Sequence, residues 1–181
     1  SLNSIVLPNS ITYMGDDVFK GCTGLQNIVN DLIYIKTTTN NCYYLFGTNN
    51  NNAETISIAE NCRFIGNEAL SDCYSLTKVE IGKNIVAMNN RAFADVYKVK
   101  VYITDLAAWC NIDYYSSDED YPGPLEDGDL YLNGELITDL VIPNGVKEIK
   151  KNAFFGAVNI SSVSIPNSVT TIGESAFAYC L

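Results

Sequence analysis

The stretch Ile160-x-x-Val163-x-Ile165-Pro166-x-Ser168-Val169-x-x-Ile172-Gly173-x-x-Ala176-Phe177-x-x-Cys180 decides the fold, because the chain opens on the same pattern. There it reads Leu2-x-x-Ile5-x-Leu7-Pro8-x-Ser10-Ile11-x-x-Met14-Gly15-x-x-Val18-Phe19-x-Gly21-Cys22. Working inward, residues 53–75 carry Ile56, Ile58, Cys62, Ile65, Gly66, Ala69, Leu70 and Cys73 in the same slots. Residues 76–98 carry Val79, Ile81, Ile85, Met88, Ala92 and Phe93, and residues 137–159 carry Leu140, Ile142, Pro143, Val146, Ile149, Ala153 and Phe154. Successive starts differ by 76 − 53 = 23 and 160 − 137 = 23 residues. A fixed period of this length marks a stacked-repeat architecture.

Two segments depart from the period. Residues 25–52 begin like a repeat with Leu25 and Ile28, then gain residues and end in the run Asn49 to Asn52, so they read as a degenerate copy. Residues 99–136 hold a strand-like Val99-x-Val101-x-Ile103, a short helical piece Asp105 to Cys110, an acidic loop, and Leu130 to Leu136 around Asn133-Gly134. Asn-Gly between short alternating runs signals a hairpin. The organisation expected is one domain over 1–181: repeats 2–24, 25–52 (degenerate), 53–75, 76–98, 99–136 (irregular, with the insertion), 137–159 and 160–181 (incomplete).

Inside a repeat, apolar residues at alternate positions such as Val163 and Ile165 put one face of a short strand inward. Pro8, Pro143 and Pro166 close the strand by removing a donor, and Gly15, Gly66 and Gly173 mark a turn where a Cβ would be costly. The pair Ala92-Phe93, like Ala153-Phe154 and Ala176-Phe177, fits a short helical turn that drops the ring inside. Stacking at the ~4.8 Å strand spacing turns these slots into continuous ladders. The expected fold is a repeat solenoid of short parallel strands with short helical or 3-10 turns.

The same residues carry a family resemblance. Leu-x-x-Ile-x-Ile-Pro-x-Ser-Val-x-x-Ile-Gly-x-x-Ala-Phe-x-x-Cys resembles the BspA-like branch of the leucine-rich repeats, and 105–110 with 130–136 resembles a connector found inside such proteins. The resemblance implies a right-handed leucine-rich-repeat β/α superhelix in large secreted or surface-exposed proteins, mostly of gut and oral bacteria and some mucosal protozoa, with adhesion and host-protein binding as the recurring role. It implies no catalytic residues.

Composition narrows the function. At 181 residues and 47% hydrophobic content the chain can bury a sizeable core. Its formal charge of −10, from 11 Lys+Arg against 21 Asp+Glu, opposes nucleic-acid binding and suits a basic surface or a cation. With no histidine, Ser-His-Asp and Cys-His pairs and His-ligated zinc are excluded. No apolar run approaches the ~20 residues of a membrane-spanning helix. The chain starts at Ser1 without a signal-type segment and neither end shows a polar capping repeat, so a longer natural protein is expected.

The six cysteines read mainly as packing residues: Cys22, Cys73 and Cys180 share a slot that Val96 and Ala157 fill elsewhere, and no Cys-x-x-Cys occurs. Cys42 and Cys110 lie outside the regular slots, and their pairing stays open. The acidic loop offers Asp118, Asp120, Asp127 and Asp129 as a weak calcium site, set against a solvated loop; no other cofactor is expected. Outward strand positions, from Asn3, Ser4 and Val6 through Glu54, Thr55, Ser57, Thr77, Lys78, Glu80, Thr138, Asp139 and Val141 to Ser161, Ser162 and Ser164, are small and polar and hold no Trp, Tyr or Arg. The partner-contact candidates are therefore Tyr114, Tyr115 and Tyr121 in the insertion, set against their covering the edge left where the repeat register breaks, with Trp109 read as a packing residue. The reading is a non-enzymatic interaction or adhesion module of an extracellular or cell-surface protein, binding a host extracellular or mucosal protein. A structural spacer is the alternative and a glycan the less favoured ligand.

Overall fold

The computed structural model of the chain describes residues 2–115 and 123–180. An antiparallel meander comes first: β1 (Gln26–Val29), β2 (Leu32–Ile35) and β3 (Tyr44–Thr48). The chain then winds in coils of two short strands each: β4 (Thr55–Ser57) and β5 (Phe64–Ile65), then β6 (Lys78–Glu80) and β7 (Ala87–Asn89). The third coil is longer, with β8 (Lys100–Ile103), helix α1 (Leu106–Cys110) and β9 (Asp113–Tyr115), followed by the hairpin β10 (Asp129–Leu132) and β11 (Glu135–Leu136). Two regular coils close the chain: β12 (Asp139–Val141) with β13 (Glu148–Ile149), and β14 (Ser162–Ser164) with β15 (Thr171–Ile172).

The 23-residue period becomes a parallel register. Ile56, Val79, Val101 and Leu130 line up across β4, β6, β8 and β10, all buried, while their neighbours in each strand point away from the core. A second ladder pairs β3, β5, β7 and β9 in parallel and is buried on both faces. Leu45, Ile65 and Met88 face the main core, which runs unbroken from Leu32 to Ala176. Tyr44, Phe64 and Ala87 face outward into a second, smaller core.

That outer core corrects the place of the best-formed repeat. Residues 2–24 hold no strand; they lie across the outer face of the second ladder, where Met14 and Phe19 pack against Tyr44 and Phe64. The physical reason is the meander. β2 pairs with the edge of β3 that a preceding coil would have used, so the N-terminal repeat keeps only isolated links such as Thr38 N–H to the Ile5 carbonyl at 3.0 Å. Its apolar residues cover Tyr44 and Phe64 instead, with the Phe19 and Tyr44 rings edge-on at 5.6 Å.

The expected helical turn after each second strand is a tighter turn; among the described residues only Asn90–Phe93 forms a 3-10 helix there. Left-handed residues recur at the repeat spacing instead: Asp17, Glu68, Asn152 and Ser175 in one slot, and Gly21, Asp72, Asp95, Gly156 and Tyr179 in another. These turns bury Phe19, Phe93 and Phe154, and Phe177 stacks on Phe154 with ring centroids 5.3 Å apart. The Gly173 slot is set by close approach: a Cβ there would collide with the backbone of Lys151 in the preceding coil.

The insertion breaks the ladders without breaking the core. Asn133 and Gly134 both take positive φ, the requirement of a type I′ hairpin turn, and β11 thereby caps the edge of β10. β12 and β13 start new ladders with β14 and β15. Across the break, the Trp109 indole N–H donates to the Ala153 carbonyl at 2.8 Å and Lys150 N–H to the Cys110 carbonyl at 3.0 Å. All six cysteines are free thiols, and burial pushes those of Cys62 and Cys110 up to about 12, which leaves them inert as nucleophiles. Among the described residues no helix is long and apolar enough to cross a membrane.

Candidate functional site

Register fixes what the solvent side of the first ladder presents. One outward row reads Thr55, Lys78, Lys100, Asp129; the next reads Ser57, Glu80, Tyr102, Tyr131. Residues paired in parallel strands stand side by side on one face, so Tyr102 and Tyr131 stack with ring centroids 4.5 Å apart and planes 10° from parallel. Lys78 Nζ sits 4.6 Å from the Tyr102 ring centroid, a cation–π contact, and also pairs with Glu80 at 2.6 Å. Ser57 Oγ donates to the other Glu80 oxygen at 2.6 Å. Hydrogen bonds from Lys78 and Ser57 hold the Glu80 carboxyl below the usual carboxylate range. Beyond the stacked pair, Leu136 lies opposite Tyr131 and is exposed.

Where these strands end, a cleft of about 300 Å³ opens, bounded by Glu60, Glu80, Tyr102, Thr104 and the Asn133-Gly134 turn. The hairpin forms one wall of this cleft, so the same insertion that breaks the ladder shapes the concavity. Rigid aromatic area beside fixed charge is suited to holding a partner. As a reaction centre it is poor: the Ser57 hydroxyl faces a carboxylate whose basicity Lys78 has reduced.

This face corrects the expectation that the strand surface is bland. Tyr102 and Tyr131 lie in the irregular coil, whose register with the regular coils the repeat pattern does not show. The alternation Lys100, Val101, Tyr102, Ile103 contained the signal, since Val101 and Ile103 facing inward oblige Tyr102 to face out.

Of the three tyrosines offered for contact, Tyr114 and Tyr115 are packed. Tyr114 turns toward the main core, burial raises its pKa, and Gly123 packs so closely that a Cβ there would lie 2.8 Å from the ring. Tyr115 faces the outer core, where Tyr13 of the N-terminal repeat covers it edge-on at 4.9 Å. Its hydroxyl is buried without a hydrogen-bond partner among the described residues. Tyr121, Asp118 and Asp120 lie outside the described residues. Asp127 is exposed at a left-handed turn, and Asp129 accepts a hydrogen bond from Asn159, so the two serve a turn and a coil junction. Among the described residues no group of three or more His, Cys, Asp or Glu is placed to hold a metal ion. Trp109 is buried in the main core.

Comparison with known proteins adds the following. A family model described as BspA type leucine rich repeat region matches residues 1–115 and 129–181 in six copies. A leucine rich cell surface protein from Faecalibacterium prausnitzii is similar at 18% identity and a TM-score of 0.46, over 84% of this chain and 46% of that one. A leucine-rich repeat protein from Eubacterium ventriosum is similar at 15% identity and a TM-score of 0.29, over 84% of this chain and 62% of that one. The chain thus spans under half the length of the first of these proteins. No curated protein matches the sequence.

Proposed function

This chain belongs to the BspA-type leucine-rich repeat family, and from that premise we propose that it is a non-enzymatic interaction module of an extracellular or cell-surface protein. The stacked Tyr102–Tyr131 pair on the first ladder carries this reading. Two aromatic rings held rigid by strand pairing lose little conformational entropy on binding, the property that makes tyrosine common at interface centres. The surrounding Lys78, Glu80 and Lys100 form a charged rim, and the chain's overall −10 favours a partner with a basic surface. An extracellular-matrix or mucosal protein is the partner class proposed.

The test is interferometry of the immobilised chain against a panel of matrix and mucosal proteins at physiological salt. Saturable binding of at least one, weakening as salt rises, supports the proposal. Silence across the panel, with a sample shown to be folded by circular dichroism, contradicts it and favours the spacer.

A further inference from the structure

A second concavity lies at the corner between the two ladders, where the chain turns from the first strand of each coil to the second. It is a groove of about 530 Å³ whose lining includes Arg63, Lys83 and four asparagines, Asn40, Asn61, Asn84 and Asn111. The helix α1 supplies one wall through Ala108. Among the described residues no carboxylate lines it, in a chain that carries ten more negative than positive charges.

Its cations are unbalanced. Arg63 forms no ion pair among the described residues; its Nη atoms make two long hydrogen bonds, to Asn9 Oδ1 at 3.3 Å and the Ile11 carbonyl at 3.4 Å. Its Nε is buried with no acceptor among the described residues. The guanidinium is braced by the rings of Tyr43 and Phe64, at 6.0 and 5.9 Å from their centroids. A partly buried cation without a counter-ion is costly, and a carboxylate arriving from the groove supplies that counter-charge. Lys83 is exposed and likewise without an ion pair among the described residues.

The asparagines are held but not exhausted. Asn61 donates to Asn40 Oδ1 at 2.9 Å, Asn84 to the Glu60 carbonyl at 2.8 Å and the Glu60 carboxylate at 3.5 Å, and Asn111 to the Ala107 carbonyl at 2.7 Å. Each amide has two N–H donors and an acceptor oxygen, so acceptor capacity remains on all three and donor capacity on Asn61 and Asn111. Paired donors and acceptors at fixed positions match hydroxyl groups, which both give and accept. A peptide finds less here: the backbone along this corner is already paired, Arg63 N–H to the Tyr43 carbonyl, Val86 to Arg63 and Asp113 to Val86.

We propose that this groove binds an acidic saccharide, its carboxylate at Arg63 and Lys83 and its hydroxyls on the amides of Asn61, Asn84 and Asn111. The site is independent of the Tyr102–Tyr131 surface.

The experiment is a titration of the ¹⁵N-labelled chain followed by amide spectra, with glucuronate, glucose and a hexaglutamate peptide as probes. Glucuronate is expected to shift the Asn61, Asn84 and Asn111 side-chain amides saturably, at least about tenfold tighter than glucose, and to weaken with salt. Arg63→Gln is expected to weaken it about tenfold or more. Because Arg63 is braced by packing, the exposed Lys83→Ala and Asn84→Ala variants carry the test independently, each weakening glucuronate several-fold. Equal affinity for glucose and glucuronate, no saturable shift, glucuronate affinity unchanged in both exposed variants, or hexaglutamate binding tighter than glucuronate overturns the proposal.

Discussion

Replacing Trp109 by Ala should uncouple the last two coils from the rest of the molecule. Among the described residues no strand ladder passes from the hairpin into β12 or from β9 into β13, so beyond backbone links such as Lys150 N–H to the Cys110 carbonyl the junction depends on side chains. Trp109 is the largest fully buried one, and its indole N–H satisfies the Ala153 carbonyl on the far side of the break. Truncating a buried Trp to Ala costs about 3–5 kcal/mol. At about 2–4 °C per kcal/mol for a chain of this size, the melting temperature should fall by roughly 6–20 °C. Because each repeat contacts mainly its neighbours, the loss should be local, and calorimetry should resolve a second, earlier transition. Trp109→Phe keeps a ring but orphans the Ala153 carbonyl, and should cost about 1–3 kcal/mol. Amide exchange would place the early transition in residues 137–180. One cooperative transition within about 2 °C of wild type for Trp109→Ala, less than the shift that 1 kcal/mol produces, would refute the reasoning.

Other perturbations read different parts of the fold. Gly173→Ala sets a methyl group against the Lys151 backbone, and chemical denaturation should show a loss of about 1–3 kcal/mol. Ser175→Gly relieves a left-handed residue at φ 53° on an exposed turn, and the same measurement should show a gain approaching about 1 kcal/mol. Glu80 has a folded pKa below its unfolded value, so its contribution is present above the unfolded pKa and disappears as pH falls through the folded one. The carboxylate is half exposed, so Glu80→Gln should cost no more than about 1 kcal/mol at pH 7. Melting curves should show that cost gone at the acid end, below the folded pKa of Glu80.

Much of the architecture is legible from slot identity alone. Ile56, Val79 and Leu140 occupy one slot in the sequence and the same inward position in the structure. The placement of residues 2–24 is not legible, because their pattern matches residues 160–180 and nothing local distinguishes a stacked coil from one laid over a sheet. What decides it is the meander 26–48, which takes the ladder edge, and long-range competition of that kind leaves no mark in a single repeat. For Tyr114 and Tyr115 the sequence leaves contact and packing open for a related reason. They sit in an irregular stretch, but β9 pairs in register with β7, so both rings belong to packed faces. Tyr102 and Tyr131 were legible in principle, from inward Val101 and Leu130; what was missing was the register that aligns them with Glu80 and Ser57.

The most direct test of the interaction surface is the affinity of a Tyr102→Ser, Tyr131→Ser double variant for the panel protein that binds the wild-type chain. Both rings are only half buried and stand outside the core, so the variant should keep its fold. Interface centres built on tyrosine lose about 2 kcal/mol or more on truncation, so binding should weaken at least about tenfold with an unchanged circular dichroism spectrum. Unchanged affinity in the folded double variant would contradict the assignment of partner binding to the strand face.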